Sequence, residues 1–336
     1  MGPKKDNSVL FYGAGVLVKQ VDALRQEFTG VRKGQDIEYI HRMRVASRRL
    51  RNAFALFSPV LPQKRLPAWE SHIKMVTKAL GKARDTDVQI DTLKKIYLKM
   101  PAGELKTGIH RLIIRLTQKR MSQQQTVLDA LDALESSQIL KEMSLRLALL
   151  AAQQNQEAGF SPKVYKHSRD TITIRLDDFL SYEDYVNKPE CISELHAMRI
   201  AAKHLRYTLE TFAPLYPDDM KELIQIMRQF QDELGEIHDC DVWNDYLPKF
   251  IEKERQRTMK YYGNTQAMKH LTPGLRYLIN DRRENRQRHY QNFIKLWNKH
   301  TSANTWENMR ETIQAPLEPD SPLSAEEMII PVQKTS

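Results

Sequence analysis

HRMRVASRRLR at residues 41–51 returns 155 residues later as HAMRIAAKHLR at 196–206. Extended to 37–62 and 192–217, ten of 26 positions are identical, among them His41/His196, Arg44/Arg199, Leu50/Leu205, Arg51/Arg206 and Pro59/Pro214. A second pair follows in the same order: LGKARDTDV at 80–88 and LGEIHDCDV at 234–242. Two ungapped matches at nearly one spacing identify an internal repeat, and a repeat decides the architecture before any single element is assigned.

The repeated unit reads as helix. From Ile40, apolar side chains recur at Met43, Leu50, Phe54 and Phe57, one side of a wheel at ~100° per residue. Asp36 is the expected N-cap and Pro59 the expected stop. Longer helices are expected over 67–99 and 218–254, with 104–134 and 266–299 closing the two units and 8–28 and 163–182 opening them. The expected fold is therefore all-α: two tandem four-helix bundles, at 8–136 and 161–302, related by pseudo-twofold duplication. Residues 137–160 read as a helical linker. Residues 315–336, with Pro316, Pro319, Pro322 and Pro331 among acids and serines, read as a disordered tail.

Chemistry concentrates on one edge of the duplicated helix. His41, Arg44, Arg48 and Arg51 stand at i, i+3, i+7 and i+10, which confines them to an arc of roughly 80°. His196, Arg199, Lys203 and Arg206 repeat the stripe. At a rise of ~1.5 Å per residue each stripe is about 15 Å long. Neither contains an acid, although like charges at helical neighbour spacing repel by a few tenths of a kcal/mol. Negative charge must come from outside the helix, and arginine's planar fork suits phosphate oxygens. Arg49 and His204, on the opposite face, read as ordinary surface groups.

The second motif is acidic. Asp85/Asp87 and Asp239/Asp241 invite a metal reading, but i and i+2 do not share a helix face. Asp85 and Asp239 fit better as orienting partners of the arginines, with plain capping or surface pairing as the third reading. Gly81 and Gly235 mark close helix packing or a local bend. No zinc-spaced Cys/His set, P-loop or Rossmann fingerprint occurs, so neither a cofactor nor a metal is expected.

Composition narrows the partners. The 336 residues carry +10, with 41% hydrophobic and 28% charged residues. Glu318, Asp320, Glu326, Glu327 and Lys334 give 315–336 a net −3, which leaves +13 on the rest, a surplus that attracts polyanions. Aromatic residues are 8% and only Tyr207 interleaves a basic stripe, so a nucleic-acid binder, which needs stacking platforms, ranks lower. The apolar run Val9–Val18 is broken by glycine and is far short of the ~20 residues that a membrane span requires. Two cysteines, Cys191 and Cys240, cannot make a disulfide framework. A cytoplasmic protein without a membrane partner is expected.

His-x-x-Arg-x-x-x-[Arg/Lys]-x-Leu-Arg at 41–51 and 196–206, with Leu-Gly-x-x-x-Asp-x-Asp-Val at 80–88 and 234–242, resembles the CHAD family, the conserved histidine α-helical domain. The resemblance spans roughly residues 8–300. It implies a basic central groove or pore between two bundles, inorganic polyphosphate as ligand and, for some members, association with polyphosphate granules. The positions carried over are His41, Arg44, Arg48, Arg51, His196, Arg199, Lys203 and Arg206. Lys74, Lys78 and Lys82, at i, i+4 and i+8, are expected to extend the basic wall. Their counterparts Arg228, Asp232 and Glu236 supply one base only, and Arg282, Arg286 and His289 form a second basic edge. Many members also carry a triphosphate-hydrolase domain. The Glu-x-Glu-x-Lys signature of that domain is not in this chain. The expectation is a non-catalytic polyphosphate binder. A metal-dependent phosphohydrolase or phosphotransferase using the Asp pairs, and a nucleic-acid-binding protein, are the alternatives.

Overall fold

Asp36 sits in extended backbone and its carboxylate accepts from the Glu38 amide at 2.8 Å, satisfying one of the donors that every helix start leaves unpaired. The helix so begun ends at Phe57, two residues before Pro59. The computed structural model describes residues 6–34, 36–100, 103–154, 160–216 and 220–317. Among these, the α-helices are α1 (Ser8–Gln26), α2 (Phe28–Lys33), α3 (Ile37–Phe57), α4 (Leu66–Lys99), α5 (Leu105–Ser136), α6 (Ile139–Ala151), α7 (Pro162–Leu180), α8 (Ile192–Phe212), α9 (Met220–Tyr262), α10 (Met268–Ser302) and α11 (Thr305–Gln314). No strand occurs among the described residues. Pro67 and Pro162 lie in the first turns of α4 and α7, where a missing amide costs nothing.

The helices follow the repeat. In the first half α1 packs on α3, α3 on α4 and α4 on α5; in the second, α7 packs on α8, α8 on α9 and α9 on α10. Apolar side chains from both halves merge into one buried core, in which Phe57 of α3 meets Phe212 of α8 with ring centroids 5.9 Å apart and Tyr12 stacks on Phe212 at the same separation. The halves thus share a core rather than keeping one each. The far ends of the four long helices make a second core, where Leu93, Ile109, Leu112 and Leu116 meet Trp243, Leu247, Phe250 and Leu275. Two glycines allow that meeting. A Cβ on Gly108 would stand 2.1 Å from the Leu271 carbonyl oxygen, and one on Gly274 1.9 Å from that of Leu105, so α5 and α10 cross with backbones in contact.

The segment expected as a helical linker contains α6, which packs along α1 and buries Ile139, Leu140, Met143 and Leu147. Helix α11, not foreseen, buries Trp306, Met309 and Ile313 against α7 and α10. Of the expected tail, 318–336 lies outside the described residues, as does 155–159 of the expected linker. No described helix is long and apolar enough to cross a membrane.

Candidate functional site

Each half of the molecule builds the same small device from three helices. In the first half Arg44 of α3 reaches α4, where its Nη2 donates to Asp85 Oδ1 at 3.2 Å. The side chain passes over Gly81: a Cβ there would lie 3.6 Å from Arg44 Nε. In the second half Arg199 of α8 passes over Gly235 of α9 at 3.7 Å. The motif glycines, expected to mark close helix packing or a local bend, serve as beds for the arginine side chains of the neighbouring helix.

The two aspartates of each motif part company. Asp85 and Asp239 lie on the arginine side. Asp239 is pushed up to about 6 by burial and by the neighbouring Glu236 and Asp85, against the opposing pull of Arg199 and Arg44. Arg44 and Asp85 of the first half thus act on Asp239 of the second, which brings the two motifs within electrostatic reach of one another. Asp87 and Asp241 turn instead to the fourth helix of their unit. Arg120 Nε of α5 donates to Asp87 at 2.8 Å. Arg286 of α10 donates to Asp241 through Nε and to the Pro189 carbonyl oxygen through Nη2 at 2.8 Å. One acid of each pair thus addresses the cations and the other bolts α4 to α5 or α9 to α10.

The two basic stripes act on one another. Lys203 is held down to about 7 by burial first and then by Arg48, Arg199, Arg44 and Arg51, three of which belong to α3. Arg48 is lowered by burial and by Arg44, Arg199 and Arg206, with partial relief from Tyr207, whose ring lies 5.7 Å from its guanidinium carbon. Arg48, Arg51, Arg199 and Lys203 form no ion pair among the described residues. Arg199 Nε and His196 Nδ1 are buried without a hydrogen-bond partner. Buried polar atoms left unpaired are costly, and here they sit where like charges already repel.

The histidines extend the device. His196 stacks on His238 of α9 with centroids 4.1 Å apart. His238 is depressed to about 4 by burial and by Arg199, His196 and Lys203. His41 is lowered by burial and by Arg84, which occupies the motif position of His238 and pairs with Glu38 at 3.5 Å. Arg84 and His238 carried a visible signal, the basic fifth residue of the acidic motif, but received no role from the sequence. His204, read as a surface group, is half-buried and depressed to about 4 by burial and by Lys203, Arg175, Arg48 and Arg51.

Other expected contributors are placed differently. Arg206 is buried, with Nε on Gln231 at 3.0 Å and Nη1 on Glu210 at 2.8 Å. Arg49, taken for an ordinary surface charge, reaches the same carboxylate from α3 at 2.9 Å, so Glu210 clasps α3 to α8. Arg282 is paired with Asp281, Arg286 with Asp241, and His289 with Glu233 at 2.8 Å. These three are fastened into the fold and do not form a free basic edge. Lys74, Lys78 and Lys82 of α4 and Arg228 of α9 are exposed. Among the described residues no group of three or more His, Cys, Asp or Glu side chains could hold a metal ion.

The family model for the CHAD domain matches residues 15–248. Among solved structures, the CHAD domain from the plant Ricinus communis aligns with a TM-score of 0.58, covering 79% of this chain and 90% of that one at 21% identity. PptA from Streptomyces chartreusis aligns with a TM-score of 0.57, covering 85% of this chain and 98% of that one at 14% identity. At such identities the likeness speaks for the fold. No curated protein matches the sequence.

Proposed function

The chain belongs to the CHAD family, and from that premise we propose that it binds inorganic polyphosphate without catalysis, between the cationic edges of α3 and α8. The observation that carries this reading is the gathering of Arg48, Arg199, Arg44 and Arg51 around Lys203, where burial first and then these four charges bring the lysine down to about 7. A string of phosphoryl groups relieves that repulsion. Arg44, Arg48, Arg51, Arg199 and Lys203 are the principal contacts, with His41 and His196 at the ends of the stripes. Asp85 holds Arg44 in place, and Glu210, paired with Arg49 of α3, holds α8 against α3. A protein so equipped would be carried to polyphosphate granules by its ligand.

Displacement of condensed counterions makes such binding fall steeply with salt. Calorimetry with long-chain polyphosphate over a salt series, on wild type and on Arg44→Glu with Arg199→Glu, tests the assignment. The double variant is expected to lose most of the affinity and to flatten the salt dependence. A folded double variant that binds as wild type does would refute it. Displacement of polyphosphate by RNA or DNA at equal phosphate concentration would favour a nucleic-acid binder. Release of orthophosphate with Mg²⁺ or Mn²⁺ would favour a hydrolase.

A further inference from the structure

A second cationic cleft lies at the far end of the long helices. Its residues from α9 onward fall outside 15–248, the part of the chain matched by the family model. It occupies about 890 Å³ between α5, the end of α9 and the start of α10. At its base is Glu254, 2% exposed. Arg115 Nε donates to Glu254 Oε1 at 2.9 Å, Arg257 donates to the same oxygen, and Arg111 Nη1 approaches Oε2 at 3.9 Å.

The count of charges matters here. One buried carboxylate is neutralised by one guanidinium, yet three converge on it, and Lys260 also lines the cleft. Glu254 is the sole acid of the lining, so the cleft keeps a formal charge of +3. Arg111 and Arg257 remain 45% and 54% exposed, with N–H groups that Glu254 does not use. The carboxylate thus orients Arg115 and Arg257 by hydrogen bonds, with Arg111 alongside, without consuming their remaining donors, as preorganisation of an anion site requires.

The wall beside them is aromatic. Tyr261 and Tyr262 meet edge to face at 4.7 Å, and are 80% and 63% exposed. Rings held open to water beside oriented guanidiniums offer stacking next to phosphate recognition. A cleft of this volume is of the size that holds a small molecule.

We infer that this cleft binds a nucleoside di- or triphosphate, its phosphates on Arg111, Arg115 and Arg257 and its base against the Tyr261–Tyr262 pair. The inference does not rest on the polyphosphate reading, and its test silences that site. The full chain carrying Arg44→Glu and Arg199→Glu is titrated into N-methylanthraniloyl-ADP and followed by fluorescence anisotropy, with inorganic triphosphate as competitor. Saturable binding is expected. Arg111→Gln with Arg257→Gln, both exposed positions that leave Arg115 on Glu254, should weaken it by about tenfold or more, because each lost guanidinium removes charge-assisted hydrogen bonds. Tyr261→Ala with Tyr262→Ala should weaken the nucleotide by at least about threefold and leave inorganic triphosphate unchanged. All variants are first checked for unaltered helical circular dichroism. Absence of saturable binding, or affinity indifferent to the arginine substitutions, overturns the site. Indifference to the tyrosine substitutions, or displacement by inorganic triphosphate at equal concentration, overturns the nucleotide as its ligand.

Discussion

Arg199 Nε lies 3.7 Å from the point where a Cβ on Gly235 would stand. That is ordinary van der Waals contact, so a methyl group fits beneath the arginine and a larger side chain does not. Arg44 and Gly81 repeat the relationship at 3.6 Å. Replacing both glycines by alanine should raise stability, by up to about 1 kcal/mol per site from helix propensity, and leave polyphosphate affinity within about twofold, since the contact is retained. Replacing both by leucine should keep much of the propensity gain yet displace the arginines and cut affinity at least about tenfold. Thermal unfolding and calorimetry on the same samples read both effects. Affinity that survives the leucines would show that the arginine positions over α4 and α9 are irrelevant to binding.

The division of labour within Asp85-x-Asp87 gives a second pair of outcomes. The Asp87 side chain is 6% exposed and its partner Arg120 14%. Asp87→Ala leaves a buried guanidinium without its counter-charge, a loss of about 3–5 kcal/mol. The Asp85 side chain is 68% exposed, so Asp85→Ala should alter stability by no more than about 0.5 kcal/mol. It frees Arg44 from its rotamer and should lower affinity several-fold. Urea unfolding separates the two. Equal destabilisation by both substitutions would remove the distinction between bolt and positioning residue.

Much of this was legible in the order of residues. Asp36 and Pro59 bracket α3 as expected, and the helix expected over 67–99 runs from Leu66 to Lys99, because caps, prolines and 3.6-residue periodicity are local signals. The stripes were legible for the same reason: four cations on one arc need only the helical angle. What escaped notice was long-range. The acids that tie down Arg286 and His289 lie 45 and 56 residues away, and no spacing rule announces that a basic side chain is already spoken for. Nor does periodicity tell Arg206, buried against Gln231 and Glu210, from Arg51, exposed at the matching place in α3. Helix α11 is the exception. Its Trp306, Met309 and Ile313 have helical spacing, but the segment fell between the last repeat helix and the proline-bearing tail.

Binding should take up protons. Before ligand arrives, Lys203 is held to about 7 and Asp239 raised to about 6. A polyanion raises the affinity of both for protons, so the complex binds more protons than the free protein and linkage requires affinity to fall as pH rises. Below about pH 5 both groups are already protonated and little further gain is expected. Between about pH 6.5 and 9 the lysine loses its proton in the free protein, and affinity should fall about tenfold or more. Calorimetry at pH 7.5 in buffers of different ionisation enthalpy should show net uptake. Proton release, or affinity flat across this range, would be incompatible with Lys203 as a ligand contact.

The same lysine sets a cost in the empty protein. Its folded value of about 7 lies below its ordinary 10.5. Between those two values the unfolded chain holds a proton that the folded chain lacks, so stability rises with pH across this window. Below about 7 both states are protonated, and the cost of burying the charge, with the repulsion from Arg48 and Arg199, is borne in full. Lys203→Met keeps the aliphatic stem and removes the charge. It should stabilise the ligand-free protein at pH 6 by on the order of 1 kcal/mol, a figure discounted for the lysine's partial exposure, and the advantage should shrink by pH 9. The gain in stability should come with a several-fold loss of polyphosphate affinity, because repulsion in the empty site and attraction in the filled one have the same source. Urea titrations at the two pH values beside calorimetry test both sides of that coupling. A Lys203→Met protein less stable than wild type at pH 6 would mean that the lysine is held by attractions and that the strained cationic cluster does not exist.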